Sequence, residues 1–344
     1  MYTRRRSKNS LGWYPGPFLI NLITLAEEAG CDVGWFERIM SEPPSGDRQE
    51  RTIDLAVVES FCEQIRQLSP QTLLSDIMRR QTGPQTATSL VAMSLGEPTL
   101  KAILTRAAAT SLLNANLFTY RFEKLPSRKT YALSFLPIAP IPRWLHMCFA
   151  YQFAEGLART TGISNLEVEE VVLCGASVAQ RTDLDDLTDA GVAAASFADS
   201  APSRVVYKAR TVDQVNPLAN KSFRNWNNSM VNPLLSSRLK TAPWTYRSYM
   251  MILRHFDAGL SLSMEAISNS LGADVSTLRR YLQAESTGFK EVVALFRKQQ
   301  AQLMMIDGVS FDQMAQRLDF KNSLSVKRLI RTGPSCGKNI TAVN

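Results

Sequence analysis

This chain has little histidine and no clustered cysteine. It contains two histidines in 344 residues, and its five cysteines are widely spread with no Cys-x-x-Cys pair. Structural zinc sites need several such ligands at short spacings, and disulfide frameworks need an even set. We therefore predict neither a metal site nor a disulfide scaffold. Unpaired thiols are typical of a reducing cytoplasm.

Long apolar runs are also missing, since none approaches the ~18 residues of a membrane span. The stretch from Phe18 to Ala26, preceded by three arginines, has the general order of an export signal. However, Asn21 and Thr24 interrupt it, and Glu27 follows at once. Its apolar residues fall on one helical face, which predicts a core helix rather than a leader. We expect no membrane partner.

The chain lacks a complete catalytic constellation. Gly175-Ala-Ser-Val-Ala179 faintly resembles a hydrolase nucleophile elbow, but its last glycine is replaced. The only histidine after Ser177 is His255, which lies in a basic segment far along the chain. Gly333-Pro-Ser-Cys-Gly-Lys338 lacks the spacing and the hydroxyl residue of a P-loop. We therefore predict a protein that is not an enzyme and needs no cofactor.

Positive charge is concentrated towards the C-terminus. The formal net charge of the chain is +8. Residues 236–344 carry 15 Lys and Arg against 8 Asp and Glu, a net charge of +7, whereas the preceding 235 residues carry +1. Charge of one sign in one segment favours a polyanionic partner for that segment, such as nucleic acid.

The first two thirds of the chain have the pattern of an α+β region. Period-two alternation over residues 117–123 and 130–135, around a turn at 126–129, predicts a β-hairpin. Further strands are predicted over 166–174 and 204–208, and residues 183–202 are predicted to be partly flexible. Helices are predicted over residues 18–29, 32–39, 53–68, 72–78, 98–112, 144–157 and 219–226. We predict helices around a small antiparallel sheet.

The composition also predicts the domain boundaries. Residues 232–243 have no clear period and contain two prolines, so we predict an interdomain linker there. The other predicted units are a basic arm over 1–17, an effector-binding or dimerisation domain over 18–231, an all-α domain over 244–335, and a tail over 336–344.

The all-α segment contains one pattern twice. Each copy has a helix-start serine, a short amphipathic helix, a tight turn and a second helix that carries Arg or Lys. The first copy begins at Ser263 and turns at Gly272, with Asp274 as the next cap; we predict Ile267, Leu271, Leu278, Tyr281 and Leu282 as its core. The second begins at Ser310 and has Asp319 in the turn. This is the outline of a tandem helix-turn-helix DNA reader.

A helix predicted over residues 289–306 connects the copies. At 1.5 Å per residue it would be ~27 Å long, which suits two readers placed on successive major grooves ~34 Å apart. The residues left on the polar side of the two second helices are the candidate DNA contacts. They are Ser276, Thr277, Arg279, Arg280 and Gln283 in the first copy, and Ser323, Leu324, Ser325, Lys327 and Arg328 in the second.

These motifs resemble the DNA-binding domain of the AraC/XylS transcription regulators over about residues 244–333. The resemblance implies that the first reader uses Ser276, Arg279 and Arg280, and the second Ser323, Leu324, Ser325 and Arg328. The pattern that carries it is Leu271-Gly-x-x-x-x-Thr-Leu-x-Arg-x-Leu282, Gly288-Phe289, Arg297, Ala301 and Ser310-Phe-x-x-x-Ala315-x-x-Leu-x-Phe320.

The chain departs from that family pattern after the second reader. Arg331-Thr332-Gly333 comes about two residues early, and Pro334-Ser335 reverses the usual order. We therefore predict that the second reader helix lacks its last turn, and that the first copy anchors specificity.

Further upstream, Ser94-Leu-Gly-Glu-Pro-Thr-Leu-x-x-Ala102 is similar to the effector domain of the ornithine-utilisation regulator subgroup, which is arabinose-binding-like. That similarity implies a small-molecule effector and a homodimer.

The combined expectation is a bacterial-type transcription regulator that binds double-stranded promoter DNA and acts on RNA polymerase in the cytoplasm, associated with the nucleoid. Two alternatives stay open. One is a small-molecule enzyme with an accessory basic domain, and the other is a DNA-architectural or recombination accessory protein without an effector.

Overall fold

The computed structural model describes residues 96–332 apart from 114–115, 126–128, 140–145, 147–148, 164–165, 175–191 and 199–201, together with Glu27, Gly30, Val33 and Gly34. The predicted basic arm and C-terminal tail, the loop with Ser177, and the four helices predicted before residue 79 lie outside the described residues, apart from Glu27, Val33 and Gly34.

The predicted hairpin is confirmed and forms one edge of a sheet. Helix α1 (Leu100–Ala109) begins at Thr99, whose Oγ1 accepts a hydrogen bond from the Ala102 amide at 3.2 Å. A 3-10 turn follows, and strands β1 (Phe118–Leu125) and β2 (Thr130–Pro137) then pair antiparallel.

Three further strands complete a mixed sheet, with the order β1-β2-β5-β3-β4. They are β3 (Val168–Cys174), β4 (Ala195–Ala198) and β5 (Ser203–Lys208). Three of the four pairings are antiparallel, as predicted for the sheet, and β3 pairs with β4 in parallel. Strand β4 lies in the stretch predicted to be partly flexible. Around the sheet lie a π-helical turn (Gln152–Gly156), α2 (Leu157–Thr161) and α3 (Ala209–Val212).

The two faces of the sheet differ in chemistry. One face carries a packed aromatic cluster, in which the rings of Tyr120, Phe135, Phe149 and Phe153 lie 5.1–6.0 Å apart. On the other face, three directly paired residues form a row across β1, β2 and β5: Arg121, Ser134 and Arg204. This second face packs against the C-terminal helices.

Helix α4 (Lys221–Thr241) extends the helix predicted over residues 219–226 through most of the stretch where we predicted an interdomain linker. It begins at Asn220, whose Oδ1 accepts from the Phe223 amide at 2.9 Å, and it continues through Pro233. Gly96 lies against this helix, because an added Cβ would stand 2.7 Å from the Arg224 backbone. Residues 232–241 are therefore helical, while the domain boundary itself stays a prediction.

Six helices follow and form the C-terminal region: α5 (Trp244–Asp257), α6 (Met264–Ser270), α7 (Val275–Ala284), α8 (Phe289–Ile306), α9 (Phe311–Arg317) and α10 (Ser323–Thr332). The α+β sheet region followed by an all-helical region is the predicted fold class. The two regions share one hydrophobic cluster, in which Leu136 and Ile138 pack with Tyr246, Tyr249 and Phe296. Burial raises the pKa of Tyr246 to about 12, although hydrogen bonds with the side chains of Ser111 and Thr119 oppose the shift.

None of the helices among the described residues combines the length and the apolarity needed to cross a bilayer.

Candidate nucleic-acid interface

The first helix-turn-helix is α6, its turn and α7. Ser263 begins α6 and accepts a hydrogen bond from the Ala266 amide at 3.1 Å, as predicted. Gly272 occupies the turn with φ +67°, a left-handed conformation that glycine adopts without steric cost. The Ala273 amide then donates to the Ser268 carbonyl at 3.0 Å, which closes the end of α6.

A small core holds the two helices of this unit together. Ile267, Leu278 and Leu282 are fully buried, and the small side chain of Ser268 is buried between the helices. Tyr281 is 37 % exposed, so its prediction as a core residue is wrong. Its ring stacks instead on Trp244 of α5, with centroids 4.6 Å apart and planes 5° apart. The stack attaches the reader helix α7 to the first helix of the region.

Asp274 places a carboxylate at the start of α7. It accepts hydrogen bonds from the Thr277 amide and hydroxyl, each at 2.8 Å, and from the Ser276 hydroxyl at 2.5 Å. The Ser276 hydroxyl and these Thr277 contacts hold the pKa of Asp274 well below its usual range. The first turn of α7 therefore carries a full negative charge that would repel a phosphate. Two candidate contact residues, Ser276 and Thr277, donate hydrogen bonds from their hydroxyls to this carboxylate.

The second helix-turn-helix is α9, its turn and α10. Ser310 and Gln313 form the predicted capping box, with both hydrogen bonds at 3.3 Å. Asp319 takes the turn position with φ +56°, the conformation that Gly272 has in the first unit. The core is a separate cluster of Ala301, Met314, Ala315, Leu318 and Val326.

Helix α10 differs from α7 in its cap and not in its length. Both helices have ten residues, so the prediction that the second reader lacks its last turn is wrong. The start of α10 is capped by Asn322, whose Oδ1 accepts from the Ser325 amide and hydroxyl at 3.0 Å. This cap is neutral, so the partial positive charge of the helix start is not cancelled.

The ten candidate contact residues all lie on α7 and α10, and none of them is buried. Thr277, Ser323 and Ser325 are partly covered. The hydroxyls of Thr277 and Ser325 are engaged in the helix caps. Leu324 is 70 % exposed, which is unusual for a large apolar side chain. The exposed candidates are Ser276, Arg279, Arg280, Gln283, Leu324, Lys327 and Arg328.

The helix predicted between the two units is confirmed, with the predicted bounds, as α8. The Glu291 carboxylate accepts from the Gly288 amide at 2.7 Å and so closes its first turn. Leu303 and Phe296 belong to the cluster that includes the first unit, and Ala301 belongs to the cluster of the second. One continuous helix therefore joins the two helix-turn-helix units.

Two polar residues that support the first unit were not predicted. Glu285, just after α7, accepts from the amides of Trp244 and Thr245 at 2.7 and 2.8 Å and so caps α5. His255 is buried; its Nδ1 donates to the Ser261 carbonyl at 2.8 Å, and its Nε2 accepts from the Ser270 hydroxyl at 2.9 Å. The sequence pattern of a helix-turn-helix could not predict these contacts. Each of them joins a residue of one element to a residue of another element farther along the chain.

No group of three or more His, Cys, Asp or Glu side chains in the described part of the chain is arranged to hold a metal ion. The other histidine, His146, is buried against Phe135 and bonded to the Ser203 hydroxyl at 2.7 Å, which is a packing role.

The chain is similar to the crystal structure of the transcriptional regulator CdpR from Pseudomonas aeruginosa, with 16% identity and a TM-score of 0.40, over 93% of this chain and 96% of that chain. No family model matches the chain, and no curated protein matches it. At this identity and TM-score the similarity does not bear on function.

Proposed function

We propose that this chain is a sequence-specific transcription regulator of the AraC/XylS type, which reads promoter DNA with α7 and α10 in adjacent major grooves. The observation that carries the proposal is the pairing of two complete helix-turn-helix units on the single helix α8. Each unit has its own cap, left-handed turn residue and core. A helical bundle without a ligand would have no need of two such units at a fixed separation.

The exposed cations supply the proposed contacts. Arg279 and Arg280 of α7 and Arg328 of α10 are exposed and form no ion pair among the described residues. A guanidinium can make two hydrogen bonds to a guanine edge or bind a phosphate. Lys327 would add to the salt-dependent phosphate contacts. Leu324 cannot hydrogen-bond a base, but its exposed methyl groups suit contact with a thymine methyl group.

The two readers would divide these roles according to their caps. The Asp274 carboxylate makes the start of α7 unfavourable for a phosphate, so α7 would contact DNA through the arginines farther along the helix. The neutral Asn322 cap leaves the start of α10 suited to a phosphate. The second reader is as long as the first, which supports a role for both in base contact.

The region before α5 would supply regulation. Its large size and near-neutral charge are unnecessary for an architectural DNA-binding protein, which needs only the basic part. We propose that it binds a small-molecule effector, a second copy of the chain, or both, and that RNA polymerase is the partner on which promoter binding acts.

Genomic binding sites of the wild-type protein, mapped by cross-linking and sequencing, would test this proposal. The enriched DNA sequence is then used in a titration with the Arg279→Ala/Arg280→Ala double variant. Arg254→Ala, which removes an exposed arginine outside both readers, is the matched control. We expect the double variant to lose about 1–3 kcal/mol of specific binding free energy per lost base contact, and the control to keep its affinity.

Two results would sink the regulator proposal. One is dispersed binding with no enriched sequence, which would favour an architectural protein. The other is full specific affinity in the double variant. An enzyme with a basic accessory domain would bind DNA weakly and with equal affinity for enriched and scrambled sequences.

A further inference from the structure

We infer that the cleft between the sheet and the two helix-turn-helix units is a binding site for a small organic anion. The cleft has a volume of about 800 Å³. That volume lies within the ~300–1,000 Å³ typical of small-molecule sites. The binding claim stands on the geometry of the cleft, and only its regulatory consequence depends on the proposed function.

Three parts of the molecule meet at this cleft. Strand β1 contributes Arg121 and Glu123 from its non-aromatic face. It also contributes Lys124, which lies near the end of the strand. Helix α8 contributes one face, which includes Arg297 and Gln300. The loop before α6 and the turn of the second unit, with Arg317 beside it, close the remaining sides. A molecule in the cleft would therefore touch the sheet, α8, the start of the first helix-turn-helix unit and the turn of the second.

Several acidic groups of the cleft are already paired with arginine. Arg121 lies 3.2 Å from the carboxylate of Glu123, which lines the cleft, and 2.9 Å from that of Asp257, which does not. Asp307 accepts from the buried Arg204 at 2.7 Å. The carboxylates of Glu123 and Asp307 therefore each have an arginine partner, and none of the other lining cations is used in these pairs.

The remaining cations have weak partners or none. Lys124 and Arg317 line the cleft and form no ion pair among the described residues. Arg297 has a single ion-pair partner there, the carboxylate of Asp319 at 3.5 Å, and that side chain is 98 % exposed. An exposed pair at this distance contributes little. The lining therefore has four cations against three carboxylates, and Lys124 and Arg317 are the two cations without an ion-pair partner among the described residues.

Gln300 points to a ligand oxygen independently of these charges. It is 1 % exposed and lines the cleft; its Oε1 accepts from Arg121. Its Nε2 is buried and has no hydrogen-bond partner among the described residues, and the same holds for the Nε of Arg297. A buried donor without a partner is costly, and native structures leave few of them. Both atoms are closed off from the open cleft, so an oxygen of a bound carboxylate or phosphate would satisfy either donor after a shift of that side chain.

The other lining residues of the cleft indicate which further groups a ligand would carry. Phe256, Leu303 and Met304 add apolar surface beside these donors. Burial raises the pKa of Glu123, while Arg121 opposes that shift, so this carboxyl is easier to neutralise when an anion approaches. The site therefore fits an anionic head group with a short apolar body.

The position of the cleft gives such a ligand a regulatory consequence, if the chain is the DNA-binding regulator proposed above. A ligand changes an equilibrium only through different contacts in the two states. Contacts to β1, α8 and the second turn would change whenever the readers move relative to the sheet. DNA binding and anion binding would then affect each other by the same factor.

Thermal unfolding of the full-length protein with a series of probes would test the site. The probes are inorganic phosphate and straight-chain carboxylates of two to eight carbons, each compared with its neutral primary amide. The variants are Lys124→Gln and Arg317→Gln, which change exposed side chains and should not disturb folding. Lys240→Gln and Arg254→Gln are the matched controls, because these exposed cations lie outside the cleft. Probes that raise the midpoint are then titrated calorimetrically.

We expect at least one carboxylate, or phosphate, to raise the unfolding midpoint, and the corresponding amide not to do so. Each cleft variant should weaken that binding about tenfold, since a charge-assisted hydrogen bond contributes about this factor. The control variants should bind as the wild type does. The inference is wrong if no anion in the series stabilises the protein, or if the cleft and control variants lose binding equally. Neither result concerns specific DNA affinity, so the proposed function would still stand.

Discussion

Arg204 of β5 donates a hydrogen bond from Nη1 to the carboxylate of Asp307, 2.7 Å away, at the end of α8. The arginine is 1 % exposed and is the largest fully buried side chain of the described residues, and its Nη2 also reaches Glu170 at 3.3 Å. This pair joins the sheet to the helix that carries both readers. Arg121, two strands away on the same face, bonds to Gln300 of that helix.

Removing one partner of this pair should strongly destabilise the protein. Arg204→Met leaves the Asp307 carboxylate without its buried partner, and breaking such a pair costs about 3–5 kcal/mol. The Arg204→Met/Asp307→Leu double variant should recover much of this loss, because apolar groups can replace a buried ion pair at little cost. Urea denaturation gives the free energies. Arg210→Met, which removes an exposed partner of Glu167, is the control and should change stability little. A single variant as stable as the control would show that the pair does not hold the two regions together.

The left-handed turn residues of the two units should both resist a branched side chain, while glycine should be accepted at either position. Gly272→Val and Asp319→Val should each lower the free energy of unfolding by about 1–2 kcal/mol, because a side chain with a branched Cβ resists positive φ. An added Cβ at Gly272 would meet nothing within 4 Å, so the loss there is conformational. Asp319→Gly should be neutral or stabilising by less than about 1 kcal/mol. A valine variant that is as stable as the wild type, at either position, would contradict the left-handed conformation there.

Asp274→Asn should separate the capping role of this residue from its charge. Asparagine keeps the cap. In the wild type the pKa of Asp274 is lower in the folded than in the unfolded chain, so its stabilising contribution is complete above the unfolded value of about 3.9. That contribution is lost as the pH falls through the folded value. The variant should therefore show a smaller loss of stability below about pH 4.

The same variant should bind non-specific DNA more tightly than the wild type, since it removes a negative charge beside α7. Titrations at several salt concentrations would measure this. Unchanged or weaker binding would mean that the start of α7 lies away from the phosphates.

Leu324→Ala should affect DNA binding and leave stability unchanged. The side chain is 70 % exposed and belongs to none of the hydrophobic clusters, so the free energy of unfolding should stay within about 0.5 kcal/mol. Specific affinity should fall where the operator places a thymine opposite this residue, and replacing that thymine by uracil, which lacks the methyl group, should remove the difference. Val326→Ala is the contrasting control, because Val326 is fully buried and its truncation should lower stability. A Leu324 variant with unchanged affinity for every operator would remove this residue from the interface.

The features best predicted from the sequence are those that neighbouring residues decide. The caps at Ser263, Asp274 and Ser310 each satisfy an amide three residues away, and the turn at Gly272 depends on one backbone angle. The bounds of α8 follow from its apolar periodicity. These features hold because their partners lie within one helical turn.

The errors occur where distant contacts outweigh local preference. Pro233 lies inside α4, although proline disfavours a helix interior by ~3 kcal/mol. The buried side chains of Asn227 and Val231, six and two residues earlier, hold the helix against the rest of the molecule. Tyr281 has the spacing of a core residue, but the ring of Trp244 on another helix gives it a stacking partner at the surface.

The sequence by itself determined two helix-turn-helix units, the helix between them and a basic surface, because period, capping and charge are properties of neighbouring residues. It did not determine what faces those units. Period-two alternation places Arg121 and Arg204 on the non-aromatic face of the sheet, and only the folded chain brings Gln300 and Asp307 to them, more than 100 residues away. The cleft between the sheet and the readers exists because of that packing, so no local pattern could have shown it.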